Sequence, residues 1–280
     1  MNLQIIKDIA LDALKDSLSV FVFVFIFHSL TSFFEGRMAR FIASKKATAP
    51  VIGSLFGLIP QCGTSVLGSD LYSRGFITAG TLIAIFLSCS DEALLVLLSG
   101  GAARIIPVLL VLKFLIGTAV GLAVNAVSRK DSMQVLTEDY EGHAHSENAI
   151  DSHLLHPLHH AFEVFVYVFV INIIMGTLIA LIGEENLSNI ISGGKVLTPL
   201  LASILGLVPN CASSVILSEL YMSGNIAFGA LTGGLLVNSG LGILILFKRK
   251  DTIRSAMWII ATCFAVSVAS GYIICLINGF

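Results

Sequence analysis

The chain has 280 residues, of which 56% are hydrophobic and only 12% charged, with a formal net charge of −2. A mean hydropathy of +0.92 leaves too little polar surface to coat a water-soluble particle, since ordinary globular proteins carry roughly 25% charged residues. A soluble enzyme is therefore excluded, no basic surface points to nucleic acid, and the lipid bilayer becomes the expected solvent.

In chain order, the first residues are no secretory signal. Lys7, Asp8, Asp12, Lys15 and Asp16 interrupt them, and no small-residue cleavage site follows an apolar core. They predict a short amphipathic helix on the membrane surface. Ser17–Phe34 predicts a first span, in which the lone His28 reads as a hydrogen-bonded core histidine more readily than as a ligand. Ala49–Tyr72 predicts a hairpin broken at Pro60-Gln61-Cys62-Gly63-Thr64-Ser65, because proline removes a backbone donor and clashes with the preceding turn. Phe76–Leu98 predicts a span interrupted by Ser88-Cys89-Ser90-Asp91-Glu92, and Ile105–Val127 a last span. Ser128–Pro157 is a polar, acidic, histidine-bearing linker.

The chain then repeats itself. PVIGSLFGLIPQCGTSVLGSDLYSRGFITAG, from Pro50, aligns without gaps with PLLASILGLVPNCASSVILSELYMSGNIAFG, from Pro199, at an offset of 149. About 19 of the 49 positions through Leu98 and Phe247 are identical, among them Pro60/Pro209, Cys62/Cys211, Tyr72/Tyr221, Gly75/Gly224 and Gly80/Gly229. The second half therefore predicts Phe162–Ile182, the broken hairpin Thr198–Tyr221, the interrupted span Ile226–Phe247 and the last span Ser255–Ile277. The organisation is a first membrane repeat (1–127), a linker (128–157) and a second repeat (158–280).

The loop after the first span carries Arg37, Arg40, Lys45 and Lys46, whereas its counterpart carries Glu184, Glu185 and Lys195. Opposite charge at equivalent positions fits opposite sides of the membrane. The expected fold is an all-α polytopic membrane protein of two inverted repeats, each with a broken re-entrant-type hairpin and a discontinuous helix, about 8–10 membrane segments in all. The expected location is the cell (inner) membrane.

Non-helical backbone inside a bilayer is tolerated only where protein buries it or it lines a wet cavity. The breaks are therefore candidate substrate or ion sites: Gln61, Cys62, Thr64 and Ser65 in one hairpin, Asn210, Cys211, Ser213 and Ser214 in the other. A half-helix starting there offers free N–H groups, and one ending there free carbonyls. The alternative is that Pro and Ser only kink packed helices. Ser88, Asp91 and Glu92 form the second constellation; the second half has Val237-Asn238-Ser239-Gly240-Leu241 there, neutral but still polar, with Asn238 and Ser239 as its candidate ligands. Intramembrane carboxylates are expensive and mark ion paths, which makes Asp91 and Glu92 the candidate cation ligand and proton carrier. One of them could also pair with Lys113 in the next span, which joins them as a candidate coupling group. Asp70 and Glu219 are matched acids that either line an entry or face headgroups. His143, His145, His153, His156, His159 and His160 could bind a borderline divalent metal loosely, or simply belong to a solvated loop.

The PQCGTS hairpin, DLYSRG, GTLIAIFLSCSDE and the PNCASS repeat together resemble the ten-helix heavy-metal exporter family, whose members are described as arsenic efflux proteins or manganese transporters. The resemblance covers nearly the whole chain. It implies efflux of a metal or metalloid across a prokaryotic cytoplasmic membrane, with five helices per half.

The resulting expectation is a secondary transporter exporting a divalent heavy-metal cation (manganese-like) or arsenic by proton-coupled alternating access. No Walker-type nucleotide loop is present, no cofactor is expected, and the partners are the bilayer and a small inorganic ion, with a homo-oligomer left open. Hard oxygens suit manganese; Cys62, Cys89 and Cys211 suit softer ions. A small oxyanion or organic anion held at the hairpin tips is the alternative substrate, and a channel the alternative mode. A membrane di-iron enzyme is suggested only by His156-Pro157-Leu158-His159-His160. Such sites need several histidine boxes, and this chain has seven histidines.

Overall fold

The computed structural model describes residues 7, 9–15, 17, 18, 20–22, 25, 26, 48–60, 63–90, 93–127, 156–182, 194, 196–248 and 253–278. Among these the structure is helical, with no strand beyond one isolated bridge between Pro60 and Ser90. The described residues between 7 and 26 are helical and form α1. The first half continues with α2 (Ala49–Gly57), α3 (Gly63–Ser73), α4 (Ala79–Ser88), α5 (Ala93–Ser99), a 3₁₀ turn at Ala103–Ile105 and α6 (Ile106–Val127). The second half comprises α7 (His156–Ile182), α8 (Thr198–Gly206), α9 (Cys211–Met222), α10 (Phe228–Val237), α11 (Gly242–Lys248) and α12 (Ile253–Asn278).

Local chemistry explains the ends. Pro50 and Pro199 stand in the first turns of α2 and α8, where a missing N–H costs nothing. Pro60 and Pro209 then forbid both helices from continuing. Thr78 caps α4 by accepting from the Thr81 N–H at 3.2 Å. Gly75 and Gly224, at φ 78 and 76, turn the chain between hairpin and broken helix in each half.

Close approaches give the chain directions. A Cβ built at Gly53 would lie 3.1 Å from the Thr81 carbonyl oxygen, and one at Gly57 2.6 Å from that of Ile85, so α2 runs parallel to α4. Thr64 lies beside Cys89 and Gly68 beside Leu82 and Ile85, so α3 runs back along the same helix. α2 and α3 therefore form a hairpin astride α4. α6 crosses antiparallel, with Gly117 against Ala84 and Gly121 against Gly80. The second half repeats these contacts: Gly206 meets Gly234, and Gly229 meets Gly271 and Cys275. One crossing is complementary. Gly68 faces Ile85, whereas the equivalent positions are Leu217 facing Gly234. Each pair needs one missing side chain, and the halves remove it from opposite partners.

The halves also exchange their short helices. α11 packs on α3 and α5 packs on α9. Ser69 Oγ donates to the Gly242 carbonyl at 2.7 Å, and a Cβ at Gly242 would lie 2.6 Å from the Ser65 carbonyl oxygen. Three apolar clusters join the halves, one gathering Leu97, Leu109, Leu217 and Leu231, a second Leu82, Phe86, Leu236 and Ile259, the third Val20, Val66, Val168 and Leu241.

Three described helical stretches are long and apolar enough to cross a membrane: Ala103–Val127, Phe228–Phe247 and Ile253–Ile277. The outer two are 22% and 28% buried over their most apolar window, against 89% for Phe228–Phe247. The outer spans offer their sides to lipid while the broken helix is enclosed by protein.

The amino-terminal expectation is corrected. Ile9 packs on Gly176 and the Phe21 ring meets that of Phe165 edge-on at 6.0 Å, so this segment runs antiparallel along α7 instead of lying apart as a surface helix. The buried positions Ala13, Ser17 and Val20 recur at helical spacing and give it a face to bury. The linker reading also shifts. His156, His159 and His160 stand within the first five residues of α7, not in a flexible stretch; His143, His145 and His153 lie outside the described residues, as does His28.

Candidate functional site

The described edges of the two first-half breaks meet, and Lys113 ties the ends of α4 and α10 together. The extended backbone after α2 meets the break after α4, with the Ser90 N–H donating to the Gly57 carbonyl at 3.1 Å and a parallel bridge from Pro60 to Ser90. Thr64 Oγ1 lies 3.9 Å from Cys89 Sγ. Thr64, Ser65, Ser88 and Ser90 are all buried. In the second half, Asn210 caps α9 by accepting from the Ala212 N–H at 2.9 Å, and Ser213 Oγ donates to the Asn210 carbonyl at 2.7 Å. Ser213, Ser214, Asn238 and Ser239 are likewise buried. Asn238 Oδ1 accepts from the Gly240 N–H at 3.0 Å, closing the break after α10 with its own side chain. Ser239 Oγ is buried with no hydrogen-bond partner among the described residues, which is unusual enough in a native interior to mark a place of function or of hydration.

Of the expected site residues, Gln61, Cys62, Asp91 and Glu92 lie outside the described residues, and Cys211 is described only as the first residue of α9. The described residues thus place the hydroxyls of the first hairpin beside the break after α4. Pairing of Lys113 with Asp91 or Glu92 falls on residues outside this description. Among the described residues no group of three His, Cys, Asp or Glu comes together to hold a metal. His159 is exposed.

Lys113 is the feature whose partners sequence reasoning missed. It sits in the middle of α6, 3% exposed. Its ammonium donates to the Cys89 carbonyl, at the end of α4, and to the Leu235 carbonyl, in the last turn of α10, at 2.8 Å. Ser88 Oγ in turn donates to the carbonyl of Lys113 at 3.3 Å. Ser54, also overlooked, points its buried Oγ, which has no hydrogen-bond partner among the described residues, toward Gly117, whose missing Cβ would lie 3.1 Å from it. The identity of Ser54 with its mate Ser203 was the available signal. Main-chain carbonyls leave none.

The matched acids separate. Asp70 is buried and pairs with Arg74, Oδ2 to Nε 3.0 Å, whereas Glu219 is exposed. The headgroup-facing alternative thus fails for Asp70, because the arginine four residues on neutralises it inside the protein.

A family model described as "Putative, 10TM heavy-metal exporter" matches residues 5–184 and 162–279 of this chain. No curated protein matches the chain, and no solved structure matches it.

Proposed function

The chain belongs to this family of heavy-metal exporters, and from that premise we propose that it is a secondary transporter exporting a divalent, manganese-like cation or arsenic through the junction of its broken helices. The observation that carries the reading is the convergence of the first hairpin break on the break after α4, through Ser90 to Gly57 and Thr64 to Cys89. Broken helices meeting in a protein-enclosed interior are how many secondary transporters build ion sites. The buried hydroxyls of Thr64, Ser65, Ser88 and Ser90 supply hard oxygens there, and Asp91 and Glu92 follow directly in sequence. In this reading one of these two acids binds the cation and the other returns the proton that drives export.

The halves are inverted in this proposal, with each hairpin re-entering from its own side. The antiparallel packing of the equivalent first helices α1 and α7 supports that arrangement, as does the opposite charge of the loops that follow them. Alternating access is then a movement of one hairpin-bearing block against the other.

A second reading, export of a small oxyanion, is favoured by one observation: Lys113 sets a buried ammonium between the two halves.

The test is whole-cell elemental analysis by mass spectrometry across manganese, iron, cobalt, nickel, zinc, cadmium and arsenic. Cells express the native chain or Asp91→Asn/Glu92→Gln. One divalent metal lowered by the native protein alone supports cation export and names the substrate. Lowered arsenic that persists in the double variant moves the reading to the oxyanion. No change in any element, with the protein present in the membrane, overturns both.

A further inference from the structure

The scaffold around Lys113 has the form of a cation site. Helix ends leave their last carbonyls without intrahelical partners and carry the negative end of the dipole. α4 and α10, one from each half, bring such ends together at the Lys113 ammonium. The Leu235 carbonyl is released by the break itself: the Ser239 N–H, which would continue the helix by bonding to it, bonds to Val237 at 2.9 Å instead. Oxygens surround the same place. Ser88 Oγ bonds to the Lys113 backbone, and one turn further along α6 Gly117 leaves room for Ser88 and for the Ser54 Oγ, which has no partner among the described residues.

The repeat shows that the fold does not itself require a lysine here. Gly121 meets Gly80 as Gly271 meets Gly229, and Asn125 meets Gly80 as Cys275 meets Gly229. The last spans are thereby matched at an offset of 150, and Lys113 falls on Cys263. That thiol is buried in an apolar cluster with Phe86 and Leu236. The same crossing is thus built once around a neutral side chain and once around a charge. Beyond the carbonyl that Lys113 takes, the break after α10 is closed by Asn238, whose Oδ1 accepts from the Gly240 N–H.

We propose that the Lys113 ammonium is a tethered cation filling a site made by the carbonyl ends of α4 and α10, and that this site takes a free monovalent cation once the lysine is removed. An ammonium group matches potassium in charge and nearly in size. Tethering makes occupancy independent of the salt outside, so the native protein holds its two halves together at this point without drawing on an alkali ion. The assignment concerns this junction and is independent of the cation reading, whereas the oxyanion reading requires the same ammonium to leave these carbonyls for the anion.

The experiment uses the full chain, purified, as native protein, Lys113→Ala and Lys113→Met, with thermal melting followed in KCl, NaCl or N-methyl-D-glucamine chloride at equal ionic strength. Alanine vacates the site, and its variant should melt about 3–5 °C higher in saturating potassium than in the organic cation, by preferential binding to the folded state. The native protein and Lys113→Met, whose sites are filled by an ammonium and by an apolar stem, should melt alike in all three salts. Equal melting of Lys113→Ala in every salt overturns the proposal, as does an equal potassium response in the native protein or in Lys113→Met. Should Lys113→Ala not be recoverable, Lys113→Ser, which leaves similar space and adds an oxygen, is measured in its place, with the same two outcomes.

Discussion

In the first half, the break after Ser88 is met by Lys113 reaching across from α6; in the second, the break after Val237 is met by the same lysine, at the Leu235 carbonyl, and also by the amide of Asn238, three bonds from its own backbone. The helices leading into both breaks have the same length, pack on the equivalent hairpin and last span of their own half, and run in the same direction relative to their hairpins; α4 also packs on the last span of the other half, α12. Only the first is followed in sequence by two carboxylates. A duplicated scaffold can concentrate charge in one copy because the other copy, neutral and apolar, keeps enough buried hydrocarbon to hold both together. The difference separates what the fold needs, which both halves have, from the pair of acids that only the first half carries.

The sharpest way to break this comparison is functional. Asp91→Asn/Glu92→Gln should lower export at least about 100-fold, the scale expected of intramembrane acids on an ion path. Asn238→Ala/Ser239→Ala, the polar pair at the corresponding break, should cost no more than about tenfold, as for a lost neutral hydrogen bond. Initial efflux rates from loaded vesicles decide it, and equal losses would mean that the two breaks share the work.

The complementary crossing gives the next largest effect. Gly68→Leu places a side chain against Ile85, and should destabilise by about 3 kcal/mol. Adding Ile85→Gly reproduces the arrangement of Leu217 and Gly234 in the second half, and should recover about 1–3 kcal/mol of that loss as a coupling energy. A double-mutant cycle by denaturant unfolding in detergent measures it; strict additivity would mean that the two crossings are not equivalent.

Gly57→Ala and Gly206→Ala should each cost about 1–2 kcal/mol, and by similar amounts, because each new methyl meets a carbonyl of the helix it crosses. Thermal melting of both variants checks the match. The smallest effect is a gain. Thr78 caps α4, but its mate Ala227 makes no side-chain cap although its backbone, at φ −73 and ψ 159, has nearly the same conformation. Ala227→Thr should stabilise α10 by about 0.5–1 kcal/mol, visible as a slower loss of amide protection in that helix.

Much of this was written along the chain. The low charge fixed the solvent, the duplicated Pro-amide-Cys motifs located the hairpins, and prolines 60 and 209 ended α2 and α8 within a few residues of the expected breaks. These features are legible because they are local: a proline lacks its donor wherever it stands, and apolar composition acts without regard to neighbours. The amino-terminal segment was misread for the converse reason. Its charges at Asp12 and Lys15 look like a surface helix, but both are exposed on the side away from the Ala13, Ser17 and Val20 face that helix α1 buries.

What the sequence determined by itself was the membrane environment, the repeat, the family resemblance and the positions of the breaks. Only the tertiary structure decided that α5 and α11 change sides, that α1 lies antiparallel to α7, that glycine sits on opposite partners of one matched crossing, and that Lys113 answers to carbonyls of both halves. Those facts depend on which surfaces meet, and a main-chain oxygen, present at every residue, becomes a partner only when a helix stops and another element is brought to its end.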